Sequence, residues 1–484
     1  MMRNWKQLTG LGIFLLALGG LATWDEWKTK KDEQDKETKG LITTIKPESV
    51  VGIVYHSTGD SDTDDKTSTP KTDPSKSVDA TLKLVNGRWE ITSPVQTAAD
   101  QQAVTDLLKN ITDYKTESEV TTGKDKWATF GLTNPRRSIE LETNDGKKTA
   151  FFVGVNSPVG FGVYAATSAS DTVYSGSQYI ATSTGKNLFD LRDKKIFTLT
   201  SPQVTALILK SGPESITLAK EDGKWLITAP VKANADTVAV SNLLDDITGL
   251  KAAEFIESPD KTIAKALSSS SSFAEVTLTA DKANVSLKVA DVASALYAQL
   301  AGSQTVYKLH DDAKTKLKKS AKDLRDKKVF TFQSASIAKV NIDGENFTKV
   351  ASDWYSESDA TKFGADGKYA GTAGGQPKPQ SHIRGLIVDL EYARAEDVYE
   401  PGSKEMKNLP KAPKHKIILF PAEKPAAAIS TEFWLAQDNP EMVFLRHSGA
   451  PQYLYKAKRS IIASITPSNV TPAGNEMAAP NVPN

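Results

Sequence analysis

The sequence of 484 residues contains no cysteine. Disulfide bonds, thiolate metal sites and cysteine nucleophiles are therefore excluded, although an oxidising compartment tolerates such a chain as readily as a reducing one. An excess of charge is also lacking, because 60 basic and 59 acidic residues leave a formal net charge of +1. A protein that binds the phosphate backbone of nucleic acid usually has a large positive excess. We therefore expect no nucleic-acid partner.

Histidine is scarce, and the sequence has none of the common catalytic or phosphate-binding motifs. It contains no His-Glu-x-x-His, no P-loop, no Gly-x-Ser-x-Gly and no dinucleotide-binding glycine pattern. Neighbouring carboxylates such as Asp245-Asp246 would point about 100° apart on a helix, which does not suit shared acid–base work. We predict a protein that is not an enzyme and holds no metal or cofactor; its five histidines are His56, His310, His382, His415 and His447.

One long apolar run is present, at residues 8–23 (LTGLGIFLLALGGLAT), and dense mixed charge follows it. As a helix at about 1.5 Å per residue, residues 5–24 would extend about 28 Å, close to the ~30 Å of a hydrocarbon core. A cleaved signal peptide is the alternative, but no Ala-x-Ala site follows the run. We predict a transmembrane anchor over residues 1–24, whose apolar body and interfacial tryptophans include Trp5, Leu8, Phe14, Leu21 and Trp24.

Basic residues flank this anchor on both sides, Arg3 and Lys6 before it and Lys28, Lys30 and Lys31 after it. The positive charges that orient a span are therefore nearly balanced. A short N-terminal span ahead of a large domain commonly acts as a signal anchor, so we expect the amino terminus inside and the body outside. The charged residues 25–46 have no apolar stripe and predict a solvated stalk.

Two phrases of the sequence occur twice. Residues 87–94 (GRWEITSP) return 136 positions later at 223–230 (GKWLITAP). Residues 191–198 (LRDKKIFT) return 133 positions later at 324–331 (LRDKKVFT). Two phrases in the same order at nearly the same spacing indicate a duplicated module. A third and weaker copy follows the second.

Each copy is predicted to form a β-hairpin followed by a helix. Asn86-Gly87 and Asp222-Gly223 are typical of type I′ turns, whereas the third copy has Ser352-Asp353 and needs a turn of another type. Asp100 and Asp236 are good N-caps. A helix is predicted in each copy by apolar residues at i, i+3, i+4 and i+7, namely Val104, Leu107, Leu108 and Ile111; Val240, Leu243, Leu244 and Ile247; and Ile383, Leu386, Ile387 and Leu390.

These signals together predict an α+β fold of three tandem repeat modules, each a short antiparallel sheet with packed helices, after one N-terminal transmembrane helix. Two inserts and a tail rich in polar residues, glycine or proline carry no structural pattern. The predicted segments are the anchor 1–24, the stalk 25–46, module 1 at 47–200 with a disordered insert at 56–79, module 2 at 201–333, module 3 at 334–462 with a flexible insert at 360–380, and a disordered tail at 463–484.

A Leu-Arg-Asp-Lys phrase closes the first two copies, and the third copy lacks it. Its residues Arg192-Asp193 and Arg325-Asp326 can mark a partner surface, or they can hold each module's end to the next through hydrogen-bonded ion pairs. We favour the second interpretation, because the last copy has no successor to hold. The tryptophans of the repeated hairpins can stack on a ligand or pack on the helix, and we favour packing. The repeat signature is Trp89, Pro94, Asp100, Arg192, Asp193, Trp225, Pro230, Asp236, Arg325 and Asp326.

The single N-terminal span, the Gly-x-Trp…Pro hairpin, the capped helix, Phe130-Gly131-Leu132-Thr133-Asn134-Pro135 and the closing Leu-Arg-Asp-Lys together resemble a bacterial family, the domain of unknown function numbered 4340. The resemblance covers about residues 47–332 well and the third copy weakly. The second copy departs from the pattern at residues 263–268, where the Phe-Gly-Leu and the proline are missing. The resemblance implies a membrane-anchored envelope protein, often encoded beside an ABC-type transport system related to gliding-motility components.

From this resemblance we expect an accessory or assembly subunit of an envelope transport or motility-type complex, with other envelope or ABC transporter subunits as partners. We expect a single-pass protein of the bacterial inner membrane with most of its chain on the periplasmic side. The alternative is an envelope module that binds polysaccharide, peptidoglycan or lipid. An envelope hydrolase is a more distant third reading, because the residues that it needs are not assembled at any recognised spacing.

Overall fold

The computed structural model describes residues 43–59, 77–158, 162–269, 273–281, 283–371, 375–422 and 427–465. The predicted anchor with Trp5, Leu8, Phe14, Leu21 and Trp24, most of the stalk and nearly all of the tail lie outside these ranges. In the described ranges, no helix is both long enough and apolar enough to span a membrane. The fold is mixed α+β, with three antiparallel sheets and their helices.

The first sheet has nine strands in the order β4-β3-β2-β1-β6-β7-β8-β9-β5. Its strands are β1 (Val50–Ser57), β2 (Val78–Val85), β3 (Arg88–Ser93), β4 (Thr97–Ala98), β5 (Thr116–Thr122), β6 (Arg137–Thr143), β7 (Lys148–Asn156), β8 (Gly162–Thr167) and β9 (Thr172–Ser177). Its helices are α1 (Gln101–Thr112), α2 (Tyr179–Thr184) and α3 (Leu188–Leu191), with 3-10 turns at Pro47–Ser49 and Lys124–Phe130.

The second sheet also has nine strands, in the order β13-β12-β11-β10-β15-β16-β17-β18-β14. They are β10 (Ala206–Ser211), β11 (Glu214–Glu221), β12 (Lys224–Ala229), β13 (Ala233–Asn234), β14 (Ala252–Ile256), β15 (Ala274–Ala280), β16 (Ala283–Val292), β17 (Ala295–Leu300) and β18 (Val306–Leu309). The helices are α4 (Thr237–Thr248), α5 (Lys261–Ser268), α6 (Ala313–Leu317) and α7 (Ala321–Leu324), with a 3-10 turn at Ser201–Gln203.

The third sheet has eight strands in the order β21-β20-β19-β23-β24-β25-β26-β22. They are β19 (Ile337–Ile342), β20 (Glu345–Val350), β21 (Asp353–Ser356), β22 (Ala395–Tyr399), β23 (His415–Pro421), β24 (Ile429–Leu435), β25 (Met442–His447) and β26 (Leu454–Lys458). The helices are α8 (Glu357–Ala360), α9 (Ser381–Glu391) and α10 (Lys404–Lys407), with 3-10 turns at Ser334–Ser336 and Arg459–Ile465.

The same strand order recurs in all three sheets. In each sheet the first strand pairs on one side with the hairpin that follows it and on the other side with a meander of four strands. The strand that follows the long helix lies at the far edge, next to the last strand of the meander. Among the described residues, the third sheet has no counterpart of the two-residue strands β4 and β13. The sheets are larger than the short ones predicted, because several strands carry too little alternation to be recognised from the sequence alone.

The chain divides into two compact units. One unit consists of residues 1–198, 250–259 and 304–310, so it contains the first sheet together with β14 and β18. The other consists of residues 199–249, 260–303 and 311–484, and it contains the third sheet and the rest of the second.

The three predicted long helices are confirmed, and each buries its apolar stripe. The buried residues are Val104, Leu107, Leu108 and Ile111 of α1, Val240, Leu243, Leu244 and Ile247 of α4, and Ile383, Leu386, Ile387 and Leu390 of α9. Apolar residues at this spacing line one side of a helix, where they leave water together and provide most of the stabilisation. Ile111, Ile247 and Leu390 are all completely buried.

The predicted type I′ turns have the backbone that such turns require. Asn86 and Gly87 have φ of 51° and 77°, and Asp222 and Gly223 have 48° and 78°. The third turn was misplaced by one residue, because Val350 pairs with Asp353 and leaves Ala351-Ser352 between the strands. Ala351 has φ of 52°, a conformation that costs alanine more than it costs glycine.

Two predicted inserts need correction. His56 and Ser57 belong to β1, and Val78 and Asp79 belong to β2, so the strands extend into the range 56–79. The histidine Nδ1 lies 2.6 Å from the Asp79 carboxylate on the paired strand.

The insert at 360–380 is not without structure in its described part. Phe363 lies against Tyr355 with ring centroids 4.6 Å apart, and it forms an isolated bridge with Tyr369. Aromatic side chains bury much area for their number, which gives this glycine-rich segment a small apolar cluster of its own.

Candidate joint sites

The two copies of the Leu-Arg-Asp-Lys phrase form two short extended segments with matching surroundings. We call Leu191–Phe197 the first linking segment and Leu324–Phe330 the second linking segment. Each follows a one-turn helix, α3 or α7, that starts in a capping box. Asn187 and Asp190 form the first box, and Ser320 and Asp323 the second. Such boxes satisfy free backbone donors and fix where the chain leaves the helix.

The first linking segment forms backbone hydrogen bonds on both sides. On one side the Asp193 N–H donates to the carbonyl of Ala98 in β4 at 3.0 Å. On the other side the Ile196 N–H donates to the Leu250 carbonyl at 3.2 Å, and the Ala252 N–H donates to the Lys194 carbonyl at 2.8 Å. The segment therefore extends the ladder at the edge of the first sheet and at the start of β14.

The second linking segment repeats this arrangement. The Asp326 N–H donates to the carbonyl of Asn234 in β13 at 2.9 Å. The Val329 N–H donates to the Ala393 carbonyl at 3.1 Å, and the Ala395 N–H donates to the Lys327 carbonyl at 2.7 Å, at the start of β22. Both linking segments therefore use equivalent backbone atoms and equivalent sheet edges.

Arg192 contacts a carboxylate and an aromatic ring beyond its own segment. Its guanidinium donates to the Glu257 carboxylate and lies 3.7 Å from the centroid of the Phe255 ring. The arginine side chain is only 5% exposed, whereas that of Glu257 is 48% exposed. A cation on an aromatic face with one charged partner is stabilised both by the ring quadrupole and by the ion pair. Phe255 in turn packs edge-on against Tyr307.

Arg325 has the corresponding contacts in the second linking segment. Its guanidinium donates to the Glu400 carboxylate and lies 4.5 Å from the centroid of the Tyr453 ring. Its side chain is 14% exposed, so this arginine is also largely removed from water. Both predicted arginines therefore lie in sites made of one carboxylate and one aromatic ring.

The side chains of Asp193 and Asp326 form hydrogen bonds within the linking segments and stabilise a local turn of the backbone. The Asp193 carboxylate accepts a hydrogen bond from the Lys195 N–H at 3.0 Å, and that of Asp326 accepts one from the Lys328 N–H at 2.9 Å. A side chain that bonds two residues ahead mimics a backbone turn. The carboxylates that form ion pairs with Arg192 and Arg325 are those of Glu257 and Glu400.

The remaining signature residues lie around the start of the long helices. Trp89 and Trp225 are each 7% exposed, and Trp89 belongs to the core cluster that contains the α1 stripe. The peptide bonds that precede Pro94 and Pro230 are cis. Asp100 and Asp236 accept hydrogen bonds from two N–H groups each at the starts of α1 and α4.

Asp236 also bonds to Arg394, at 2.6 Å. The Ala239 N–H and then this arginine hold the pKa of the Asp236 carboxyl below its usual value, against the opposing effect of burial. The first-copy cap, Asp100, has Lys194 of the first linking segment at 3.6 Å instead. In both copies a cap residue is thus in contact with a cation near a linking segment.

A cavity of about 370 Å³ lies beside the second linking segment. Its aromatic wall includes the rings of Phe330, His447, Tyr453 and Tyr455, and Arg325 lies at its rim. The His447 ring is stacked on that of Tyr455 with centroids 5.5 Å apart, and burial lowers the pKa of His447. The cavity combines stacking surfaces with polar hydrogens, which suits a small polar molecule with apolar faces.

No group of three or more histidine, aspartate or glutamate side chains in the described part of the chain is arranged to hold a metal ion. Two histidines do have carboxylate partners that their sequence positions did not suggest, His56 with Asp79 and His415 with Asp343. Both partners come from a paired strand or an adjoining turn, so only the strand pairing brings them together.

The sequence predicted a role for Arg192 and Arg325 but not the carboxylates with which they form ion pairs. Glu257 and Glu400 are 65 and 75 residues away from these arginines. The two glutamates share one position, since each directly follows the strand after the long helix, β14 or β22. Both strands lie at a sheet edge, and this shared position was the signal that could have identified the glutamates. Neither carboxylate belongs to a repeated phrase, so the repeats alone did not point to them.

Comparison with known proteins gave one family. Its model, described as Domain of unknown function (DUF4340), matches residues 89–262 and again residues 225–411. No curated protein matches the chain, and no solved structure does. The two matched regions overlap, cover well over half of the chain, and each contains a linking segment. The chain therefore belongs to the DUF4340 family of proteins of unknown function.

Proposed function

We propose that the chain consists of three tandem copies of one module, joined by two linking segments into a scaffold that presents its sheets to partner proteins. The observation that supports this most directly is the repeated joint. Arg192 with Phe255 and Glu257, and Arg325 with Tyr453 and Glu400, form the same kind of contact at equivalent sheet edges. Repeating units that contact only their neighbours suit a structural role.

The proposed role is that of a non-enzymatic accessory or assembly subunit of an envelope transport or motility-type complex, held in the inner membrane by residues 1–24. Support for the membrane comes from the apolar run at residues 8–23 and its flanking tryptophans. Support for the transport context comes only from the resemblance of the sequence to its family. The partners would be ABC permease and ATPase subunits, because the chain contains no P-loop of its own.

Co-purification tests this role. The tagged full-length protein is expressed in its native host, solubilised in mild detergent and isolated after brief cross-linking, and the retained proteins are identified by mass spectrometry. We expect permease and ATPase subunits to be enriched over a control purification of the same chain without residues 1–24. Their absence from the full-length sample, with the protein intact and in the membrane fraction, contradicts the proposed role.

A second candidate function is the binding of envelope polysaccharide or peptidoglycan. It is favoured by the 370 Å³ cavity, where the partly exposed ring of Tyr453 offers a stacking surface next to Arg325. Retention of the protein on purified cell-wall material tests this candidate. Binding that falls strongly in Tyr453→Ala and remains in Trp127→Ala, a variant of a buried residue in the 3-10 turn Lys124–Phe130, would support it. Binding that is absent, or equal in both variants, contradicts it.

A further inference from the structure

The outer faces of the first and third sheets can be compared position by position. Tyr164 of β8 and Phe444 of β25 each lie between two residues of the core cluster of their own sheet. Because successive side chains of a strand point to opposite faces, both rings point away from the core. Their ladder partners, Ser175 and Lys456, each directly follow a tyrosine. Tyr164 and Phe444 therefore occupy equivalent places, and we call this side of a sheet its outer face.

In the first copy, aromatic residues of the chain cover this place. The 3-10 turn Lys124–Phe130 follows the edge strand β5, and Phe130 lies edge-on against Tyr164 with ring centroids 4.7 Å apart. Trp127 packs in the same way on Phe152 of β7, at 5.6 Å. A flat ring is thus a shape that the fold accepts against this side chain.

In the third copy, the segment between β22 and β23 leaves a cavity at the equivalent place. Residues 400–414 contain α10, and the Trp434 indole N–H of β24 donates to the carbonyl of Pro410 at 3.0 Å. Phe444 and this segment both line a cavity of about 370 Å³, which we call the outer cavity. Its lining also includes Tyr399, Asn408, Leu409, Gln437, Asp438 and Lys456.

The outer cavity combines aromatic rings with uncharged hydrogen-bonding groups. The rings of Phe444 and Tyr399 are both half-buried, with centroids 6.0 Å apart. Asn408 and Gln437 are exposed, and neither side-chain amide has a hydrogen-bond partner among the described residues. Each amide can donate and accept hydrogen bonds at once. The lining therefore suits a ligand with an apolar face and a polar edge.

The charges of the lining balance one another. It contains two lysines, Lys404 and Lys456, and two carboxylates, Glu405 and Asp438. The Lys456 ammonium lies 3.0 Å from the Asp438 carboxylate and 5.5 Å from the centroid of the Phe444 ring. Because the lining has no excess of either sign, it favours an uncharged ligand over a phosphate ester or a strongly acidic peptide.

We propose that the outer cavity is a binding site for an uncharged saccharide. The sugar ring packs against Phe444, as Phe130 packs against Tyr164 in the first copy. The sugar hydroxyl groups exchange hydrogen bonds with the side-chain amides of Asn408 and Gln437.

The chemistry of the lining favours a sugar over an apolar side chain of a partner protein. The C–H groups on the face of a pyranose contact an aromatic ring, while the hydroxyl groups at its edge donate and accept hydrogen bonds. An apolar side chain would contact the ring but would cover the amides without bonding to them, which costs free energy. The volume of the cavity lies near the lower end of the range of about 300–1,000 Å³ for small-molecule sites, so it suits one short saccharide.

The outer cavity is separate from the cavity beside the second linking segment. Phe444 and His447 lie three residues apart on β25, so their side chains point to opposite faces of the third sheet. The proposal depends neither on the transport role nor on Tyr453, to which the second candidate function assigns the binding of cell-wall material. The two binding sites can therefore be tested separately.

Saturation-transfer NMR of the full-length protein, in a detergent without a sugar head group, tests the proposal. The probes are two uncharged disaccharides, maltose and N,N′-diacetylchitobiose, and one anionic disaccharide, digalacturonic acid. The variants are Phe444→Leu, which keeps an apolar side chain but no flat ring, and Gln437→Ala, which removes an exposed amide. The controls are Tyr164→Leu at the equivalent place of the first sheet and Gln333→Ala, a change of another exposed glutamine.

We expect at least one uncharged disaccharide to bind with a millimolar Kd and digalacturonic acid to bind more weakly. Phe444→Leu should weaken the binding of the uncharged disaccharide about 2- to 10-fold, because the contact with the aromatic ring is lost. Gln437→Ala should weaken it by a similar factor, because a hydrogen bond is lost. Tyr164→Leu, Gln333→Ala and Tyr453→Ala should bind as the natural chain does.

The proposal is wrong if neither uncharged disaccharide gives saturation transfer at millimolar concentration, or if the natural chain and both variants bind equally. Tighter binding of digalacturonic acid would also overturn it. Loss of binding in Tyr453→Ala, with Phe444→Leu unaffected, would place the saccharide in the other cavity and so support the second candidate function instead. Circular dichroism checks that each variant is folded, and Gln437→Ala decides the outcome if Phe444→Leu does not fold.

Discussion

At the scale of single residues, Arg192 and Arg325 show how a charged side chain can be buried at low cost. Each guanidinium keeps a carboxylate partner and places its flat face on an aromatic ring. The carboxylates stay partly in water, with Glu257 at 48% exposure. Only one of the two charges is therefore desolvated, and the ring replaces part of its hydration.

Removal of the first of these side chains should open the joint locally. We expect Arg192→Ala to lower the free energy of opening at the Ile196 and Ala252 amides by about 1–3 kcal/mol, because the ion pair, the cation–π contact and the packed stem are all lost. Hydrogen exchange measured by mass spectrometry reports this opening.

Two matched variants make this prediction specific. Arg192→Lys retains the charge but not the flat stacking surface, so the loss should be intermediate. Lys109→Ala removes a cation from the exposed pair with Asp113 on α1 and should leave the same amides unchanged. Equal exchange in all three variants and the natural chain would show that the guanidinium does not hold the joint.

The buried His447 predicts how stability depends on pH. Burial lowers its pKa below the ordinary value of about 6.5, so the unfolded chain binds a proton more readily than the folded chain. Stability from this group is therefore complete above pH of about 6.5 and is lost as pH falls toward the lower folded value. We expect the urea midpoint for unfolding of the compact unit that contains the third sheet to fall as the pH is lowered from 7.5 to 5.5.

His447→Phe is the matched variant for this test, since a ring of similar size can lie between Phe330 and Tyr455. The part of the midpoint shift that is due to the histidine should disappear in the variant. His382, whose pKa burial also lowers, remains in both proteins and contributes equally. An identical pH profile in both proteins would assign the shift to other groups.

At the scale of secondary-structure elements, the helices and the hairpins were predictable and the sheet edges were not. The apolar residues of α1, α4 and α9 recur with the period of a helix and not with that of a strand. The turns at Asn86-Gly87 and Asp222-Gly223 need residues that tolerate positive φ, and these residue pairs do so. β5, with only exposed and half-exposed residues, has no alternation from which a strand could be recognised. Its pairing with β9 is fixed by the meander that lies between them.

The joint sites were predictable only in part for the same reason. A repeated phrase identified the arginines, but Glu257 and Glu400 reach them because β14 and β22 return to a sheet edge after a long helix. No local sequence pattern predicts that β14 and β22 lie at a sheet edge after the long helix. Asp193 and Asp326 belong to the same phrase, but each carboxylate accepts a hydrogen bond from the N–H two residues ahead, because a short side chain reaches this near donor.

The helix starts differ in a way that can be tested. Asp100 and Asp236 cap α1 and α4, whereas the N-cap of α9 is Gln380, whose side chain makes no capping hydrogen bond. We expect Gln380→Asp to raise the free energy of unfolding of the compact unit that contains the third sheet by about 0.5–1 kcal/mol, because a short carboxylate can accept hydrogen bonds from the first helical N–H groups. Urea denaturation followed by far-UV circular dichroism measures the change.

The reverse change in the second copy is its control. Asp236→Ala should destabilise by about 1–2 kcal/mol, and Asp236→Asn by less, because asparagine still caps the helix but loses the charge that pairs with Arg394. If Gln380→Asp and Gln380→Ala behave alike, the position does not accept a cap and the comparison between copies fails.

At the scale of the whole molecule, the proposed topology can be tested with single cysteines, which the natural chain lacks. Val238, at 69% exposure on α4, is a suitable position in the described part of the chain. We expect Val238→Cys to react with a membrane-impermeant maleimide in intact spheroplasts. Asn4→Cys, which precedes the predicted anchor, should react only after lysis. The opposite labelling pattern would reverse the orientation, and labelling of both positions in intact spheroplasts would argue against a span.

The two-sided pairing of the linking segments also bears on solubility. An uncovered strand edge invites other chains to add on, and head-to-tail contacts that do not close generate filaments. Here each linking segment occupies both the end of one ladder and the beginning of the next. In the third sheet, α8 packs on β20 and β21. The third copy contains no Leu-Arg-Asp-Lys phrase. Because these backbone contacts are already made within the chain, we expect that the protein does not polymerise through them.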